Sequence, residues 1–217
     1  MKNYLSLTTS KMLKGFKAIV FDMDGTLCLP QPWMFPAMRQ AVGLTDPSRD
    51  ILEYIGSLSP AQQRKALRAV EQVEHKAMVQ MEPQPGLQQV LKWLTHARIS
   101  KNVCTRNLRA PFDHLIASFV PAQYSQFDHI LTREFCPTKP FAGPLLHIAK
   151  QLNLDPRSIV MVGDSLDDML SGRSAGCRTV LIVNEHNRSL LQSHRDLVDC
   201  TVSDLSELAV LLARCTA

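Results

Sequence analysis

No run of apolar residues in this 217-residue chain approaches the length needed to cross a bilayer. The N-terminus also lacks the apolar core and cleavage site of a secretory signal, so the expectation is a cytoplasmic protein with no membrane partner. Long basic runs are missing as well. The formal charge of +4 comes from Lys and Arg spread along the chain with few aromatics among them, which argues against a nucleic-acid partner and suits a small anionic substrate better. The six cysteines, Cys28, Cys104, Cys136, Cys177, Cys200 and Cys215, include no CxxC pair and no Cys/His cluster at zinc spacing. Reduced thiols are therefore expected rather than a disulfide framework. Acid is absent from the start of the chain: "MKNYLSLTTSKMLKGFK" carries Lys2, Lys11, Lys14, Lys17 and several hydroxyls, and no carboxylate precedes Asp22. Mitochondrial presequences share that bias but are usually richer in arginine, so a mitochondrial address stands as the alternative to the cytoplasm.

With 45% apolar and 20% charged residues, the chain can bury a sizeable core as one domain with an insertion or as two small domains. "KAIVFD" is a short apolar run, β-branched and aromatic at its middle, of the kind found in strands buried on both faces. Similar runs recur at Ile99–Thr105, Phe127–Thr132, Ser158–Asp164 and Arg178–Val183. Between them, Leu87, Val90, Leu91 and Leu94, then Leu145, Leu146, Ala149 and Leu152, then Met169 and Leu170 follow helical spacing. Strand alternating with helix calls for a parallel sheet covered on both faces. "SDLSELAVLLARC" adds a last amphipathic helix, capped by Ser203 or Asp204.

The alternation breaks once, between Leu29 and Met81, where at least two helical patterns and no strand are legible. In "SPAQQRKALRAVEQVEHKAMVQM", Ser59 can cap, Pro60 suits the first helical position and Gln62 completes a capping box. Leu67, Val70, Val73, Ala77 and Met81 then fall along one face. Proline-bearing segments, "LPQPWMFP" and "MEPQPG", bracket the stretch. The fold expected is α/β, a Rossmann-like parallel sheet core over residues 1–28 and 82–217 with an inserted helical cap over residues 29–81.

Chemistry gathers at the expected strand ends, where open parallel sheets bind ligands. In "FDMDGTL", residues two apart share a face, so Asp22 and Asp24 present their carboxylates together while Met23 points away. "VCTRN" offers Thr105, Arg106 and Asn107, a hydroxyl, a guanidinium and an amide that can all donate to phosphate oxygens. "CPTKPFAGPL" puts Lys139 ahead of a helix, where the helix dipole gives a cation no reason to sit. "VGDSLDDM" closes the fourth strand with Asp164, followed by Asp167 and Asp168.

These residues compose a phosphoryl-transfer site. A carboxylate attacking a phosphate meets Coulomb repulsion of about 1 kcal/mol at 4 Å in water and several times more in a drier site. Mg²⁺ held by Asp22, the Asp24 backbone carbonyl and Asp164 would remove that obstacle, and Lys139 and Thr105 would hold the transferring oxygens. Asp22 is the expected nucleophile and Asp24 the general acid and base.

"FDMDGTL", the Thr105 segment, Lys139 and "GDSLDDMLSGRSAG", in that order, resemble the four motifs of the haloacid dehalogenase superfamily, and the insertion resembles the small helical cap of its phosphoglycolate-phosphatase-like members. The resemblance covers the core from Ala18 to Val183; the cap matches in position and helicity only. It implies a Mg²⁺-dependent phosphatase acting on a small phosphorylated metabolite through an aspartyl-phosphate. Asp22 is then nucleophile, Asp24 acid and base, Thr105 and Lys139 phosphate ligands, Asp164 a metal ligand, and Asp168 the partner of the lysine. Dehalogenating members lack the second aspartate, which is present here; phosphomutases keep both and stay as an alternative, as does a receiver-type phospho-acceptor domain. Trp33, Phe35 and Arg39 are candidates for touching the rest of the substrate. A monomer or weak dimer is expected.

Overall fold

The computed structural model describes residues 13–216. Most of the lysine-rich leader lies outside the described residues, and with it the expectation of a targeting segment. The chain divides into two compact units, one running through Leu29 and resuming at Pro83, the other Pro30–Glu82.

The first unit is built on six parallel strands in the order β3-β2-β1-β4-β5-β6: β1 (Ala18–Phe21), β2 (Ser100–Cys104), β3 (His129–Leu131), β4 (Ile159–Gly163), β5 (Arg178–Ile182) and β6 (Cys200–Val202). Every residue of β1 and β4 is buried, as their unbroken apolar runs require of strands covered on both faces. The chain moves outward from β1 through β2 and β3, then returns to the other side of β1 as β4. That reversal opens a crevice at the carboxyl ends of β1 and β4, the place where open α/β sheets bind ligands. The order also differs from the 2-1-3-4-5 order of a receiver-type domain, which removes that alternative.

Helices cover both faces. In chain order within this unit they are α4 (Leu87–His96), α5 (Arg109–Phe119), α6 (Gly143–Leu152), α7 (Leu166–Ala175), the short α8 (Leu190–Ser193) and α9 (Leu205–Thr216). One core cluster joins Ala18, Val20, Ile159 and Met161 of the central strands to Leu145, Ile148 and Ala149 of α6. Helix α4 buries Leu87, Val90, Leu91 and Leu94 and packs against α9. Of the two caps expected for α9, Asp204 accepts from Glu207 N over 2.9 Å, while Ser203 donates to Glu207 Oε2. All six cysteines are thiols; only Cys136 is exposed. Among the described residues no helix is long and apolar enough to cross a membrane.

The second unit holds the remaining helices, α1 (Met34–Val42), α2 (Ile51–Gly56) and α3 (Pro60–Val79). Met38, Ile55, Ala66 and Val70 form its centre. Ser59 N donates to Gln62 Oε1 over 3.2 Å, completing the expected capping box, and Pro60 opens α3. The apolar stripe differs from expectation first at Leu67, which is 43% exposed while Ala66 is buried instead. Ala66, Val70, Val73 and Ala77 follow one another at steps of four, three and four residues along one helix face. Met81 is buried but lies beyond the end of α3.

Of the three substrate-contact candidates, Arg39 spends its guanidinium on the carbonyls of Asp46 and Arg49, at 2.7 and 2.9 Å. That ties it to the loop joining α1 and α2. Trp33 lies beneath the Lys76 ammonium, 5.2 Å from its ring centre, and Phe35 is 60% exposed.

Candidate active site

Asp22 directly follows β1, and its N–H donates to Val162 O over 2.9 Å, so the ladder to β4 reaches one residue past the strand. The chain then turns tightly. Thr26, Leu27 and Cys28 all donate to the carbonyl of buried Met23, at 3.2, 2.8 and 3.1 Å. Gly25 makes the turn in the left-handed region, φ +78°, where an added Cβ would lie 2.1 Å from Asp164 Oδ2. A side chain at Gly25 is thus excluded twice, by backbone conformation and by the carboxylate beside it. Buried Gln84, where the chain rejoins the sheet unit, donates to Gly25 O over 3.1 Å and braces the turn from behind.

Lys139, 3% exposed, reaches between two acids: its Nζ lies 2.6 Å from Asp22 Oδ1 and 2.5 Å from Asp168 Oδ1. Burial opposes the charge on Lys139, but Asp168 and Asp22 together outweigh it and raise its pKa. The lysine therefore stays cationic. Asp168 is wholly buried at the start of α7, where its Oδ2 accepts from Ser165 N and Oγ, at 3.0 and 2.6 Å. Gly163 makes room for it, since a Cβ there would lie 2.3 Å from Asp168 Cγ.

Asp22, Asp164 and Asp168 each offer a carboxylate oxygen, all within 4.8 Å of one another. Asp168 already satisfies an ammonium, an amide N–H and a hydroxyl, so it has little left to give a cation. Asp164 is less committed. Its Oδ2 accepts from Asn184 Nδ2 over 3.0 Å, and its backbone carbonyl accepts from Asn187 Nδ2 over 2.7 Å. Burial pushes the Asp22 carboxyl well above its usual range; Lys139 pulls it back, and Asp168, Asp24 and Asp164 push it up again. Burial and Asp168 likewise push Asp164 up to about 7, against the pull of Asn184 and Lys139. Four crowded carboxylates facing one ammonium make a site short of positive charge. An all-oxygen donor set of this kind fits a hard divalent cation such as Mg²⁺, with Asp22, Asp164 and the Asp24 carbonyl as the residues that would hold it.

The loop after β2 carries the three expected phosphate donors, each with a partner of its own. Thr105 is buried, and its Oγ1 accepts from Asn107 N over 3.0 Å. Arg106, with 58% of its side chain exposed, pairs with Asp167 at 2.6 Å. Asn107 turns its amide to Asp24, with Nδ2 3.1 Å from Oδ2. Arg106 and Asn107 thus each face an acid.

Residues 19–182 match the haloacid dehalogenase-like hydrolase family. The chain belongs to that family. An uncharacterized hydrolase of Saccharomyces cerevisiae is 57% identical to it over 201 residues, 92% of each chain. A phosphoglycolate phosphatase of Thiobacillus denitrificans is 27% identical over 231 residues, covering 91% of this hydrolase and 96% of the relative. In fold, the crystal structure of a predicted phosphoglycolate phosphatase from Haemophilus somnus superposes with a TM-score of 0.71 at 18% identity, covering 92% of this chain and 99% of that one.

Three residues around this hydrolase's acids escaped the sequence reading: Ser165, Asn184 and Asn187. Ser165 carried a signal, since a serine three residues ahead of Asp168 at a helix start is a capping box with an acid in it. The asparagines of "VNEHN" also follow a strand end, β5. They read as loop polarity because an amide, unlike a carboxylate or lysine, is ordinary in a turn.

Proposed function

We propose that this hydrolase is a Mg²⁺-dependent phosphatase that cleaves a small phosphorylated metabolite through an aspartyl-phosphate on Asp22. The observation that carries the reading is how Asp22 is engaged. Lys139 occupies Oδ1 and leaves Oδ2 to attack phosphorus.

In the first step a bond forms from Asp22 Oδ2 to phosphorus as the ester P–O bond breaks, and Asp24 gives its proton to the departing oxygen. In the second, Asp24 takes a proton from water, whose oxygen attacks the same phosphorus. The acyl-phosphate bond breaks, and phosphate leaves with Asp22 and Asp24 restored. Lys139 stays charged throughout, steadying the Asp22 carboxylate and the negative charge spreading over the phosphoryl oxygens. Asp168, anchored by Ser165, holds Lys139 in line. Mg²⁺ on Asp22, Asp164 and the Asp24 carbonyl would supply the remaining neutralisation of phosphate charge.

The helical unit Pro30–Glu82 is proposed as a cap that sets substrate preference, with Trp33 and exposed Phe35 as its candidate contacts. Relatives named phosphoglycolate phosphatases make a short phosphorylated carboxylic acid the first compound to try. Phosphate release from a panel of phosphomonoesters, 2-phosphoglycolate among them, tests the reading. Turnover should appear with Mg²⁺ and vanish on chelation; turnover unaffected by chelation, or none across the panel, would overturn it.

A further inference from the structure

Asp164 and Asp168 sit four residues apart at the same strand end, yet their surroundings differ in kind. Asp168 is satisfied by the Lys139 ammonium and by Ser165. Among the described residues, the side-chain carboxylate of Asp164 accepts from a neutral amide alone, Asn184 Nδ2 on Oδ2 at 3.0 Å. An amide donor fixes a carboxylate's orientation without cancelling its charge, whereas an ammonium does both. No ammonium among the described residues is hydrogen-bonded to Asp164, and its Oδ1 is left for a cation.

Neither asparagine is free to rotate away. Asn184 Oδ1 accepts from His186 N over 2.9 Å, which decides the direction of its amide and turns Nδ2 toward Asp164. Asn187, 7% exposed, is fixed in the same manner: its Oδ1 accepts from Asn184 N over 2.9 Å. Its Nδ2 then divides between the Asp164 carbonyl at 2.7 Å and the Ile182 carbonyl at 2.8 Å. The loop after β5 is in this way stitched to the loop after β4, with Asp164 gripped at both its backbone and its side chain.

We infer that Asn184 and Asn187 form an amide brace that presents Asp164 to the active-site cation, acting as positioning residues for the metal. The inference rests on the phosphatase reading above. Outer partners of this kind typically change metal affinity about 10–100-fold when removed.

Isothermal titration of the full chain with Mg²⁺ alone, without substrate, tests the brace. Asn184→Leu keeps the branched shape of the side chain and removes its donor and acceptor. Its Mg²⁺ Kd should rise about 10–100-fold over the unmutated chain, with thermal unfolding in chelator confirming the fold. Should Asn184→Leu fail to fold, Asn184→Ser, which keeps a shorter hydroxyl donor, carries the test with a smaller rise in Kd. Competition by Mn²⁺, followed by the paramagnetic resonance of the free ion, should give the same ranking. Unchanged affinity in the folded variant overturns the brace and leaves the phosphatase reading intact, since a loop-closing role would lower stability without touching the metal. A parent chain that binds no divalent cation overturns both.

Discussion

The side-chain amide of Asn107 donates to Oδ2 of Asp24 over 3.1 Å, linking the loop after β2 to the turn after β1. The Cys28 thiol lies 4.0 Å from the other oxygen, Oδ1. In the proposed reaction Asp24 moves the protons, and we propose that Asn107 aims this acid. Asn107→Ala should lower kcat about tenfold or more on an alkyl phosphate, a fraction of the 10²–10⁴ typical of general acid catalysis. On p-nitrophenyl phosphate, whose leaving group needs little protonation, the loss should be small. Equal losses on both, with a raised KM, would return Asn107 to the phosphate.

Gly25 is the point where backbone and site depend on each other most closely. Gly25→Ala must hold a Cβ in the left-handed region, at about 1–2 kcal/mol, and must also push Asp164 away from a 2.1 Å collision. Denaturant unfolding in chelator should show at least the backbone cost. Mg²⁺ titration should show weakened binding as well, because the displaced carboxylate is a proposed ligand. Loss of stability with unaltered Mg²⁺ affinity would remove Asp164 from the metal set.

The raised pKa of Asp164 sets a pH dependence. Its carboxyl ordinarily titrates near 3.8 and here is pushed up to about 7 by burial first and by Asp168 second. Between those values the folded protein holds a proton that the unfolded chain releases. The stability this gives is full below the lower value and is lost as pH rises through the upper one. In chelator, Tm should therefore fall between about pH 4 and pH 7 by this group's contribution. Mg²⁺ competes with the same proton, so the rise in Tm on adding it should grow over the same interval. A Mg²⁺ effect on Tm that is the same at both ends would contradict the assignment.

Much of this architecture was legible because the buried strands are long enough to show their apolar runs. β1 and β4 read clearly, and so did the acids that follow them. β6 did not: Cys200–Val202 is three residues long, pairs on one side only, and offers no period to detect. Helix α5 was missed for another reason, since its buried residues Pro111, Phe112, Leu115 and Ile116 begin with a proline that punctuates the pattern. In α3 the eye follows Leu67, the larger side chain, where packing chose Ala66. At the site the residue types were legible and their partners were not. Arg106 and Asn107 are good phosphate donors by chemistry, but only the fold reveals that Asp167 and Asp24 stand within reach.

The central claim is that Asp22 becomes phosphorylated while Asp24 moves the protons. Asp24→Asn keeps the nucleophile and removes the group that activates water, so this variant, given Mg²⁺ and acetyl phosphate, should accumulate a phosphoenzyme that outlives that of the unmutated chain. Quenching in acid, followed by mass spectrometry of the peptides, locates the label. The account predicts one phosphate on Asp22, and none in Asp22→Asn, whose turnover falls to the detection limit. A label on Thr105 or Ser165, or substantial activity in Asp22→Asn, would contradict it.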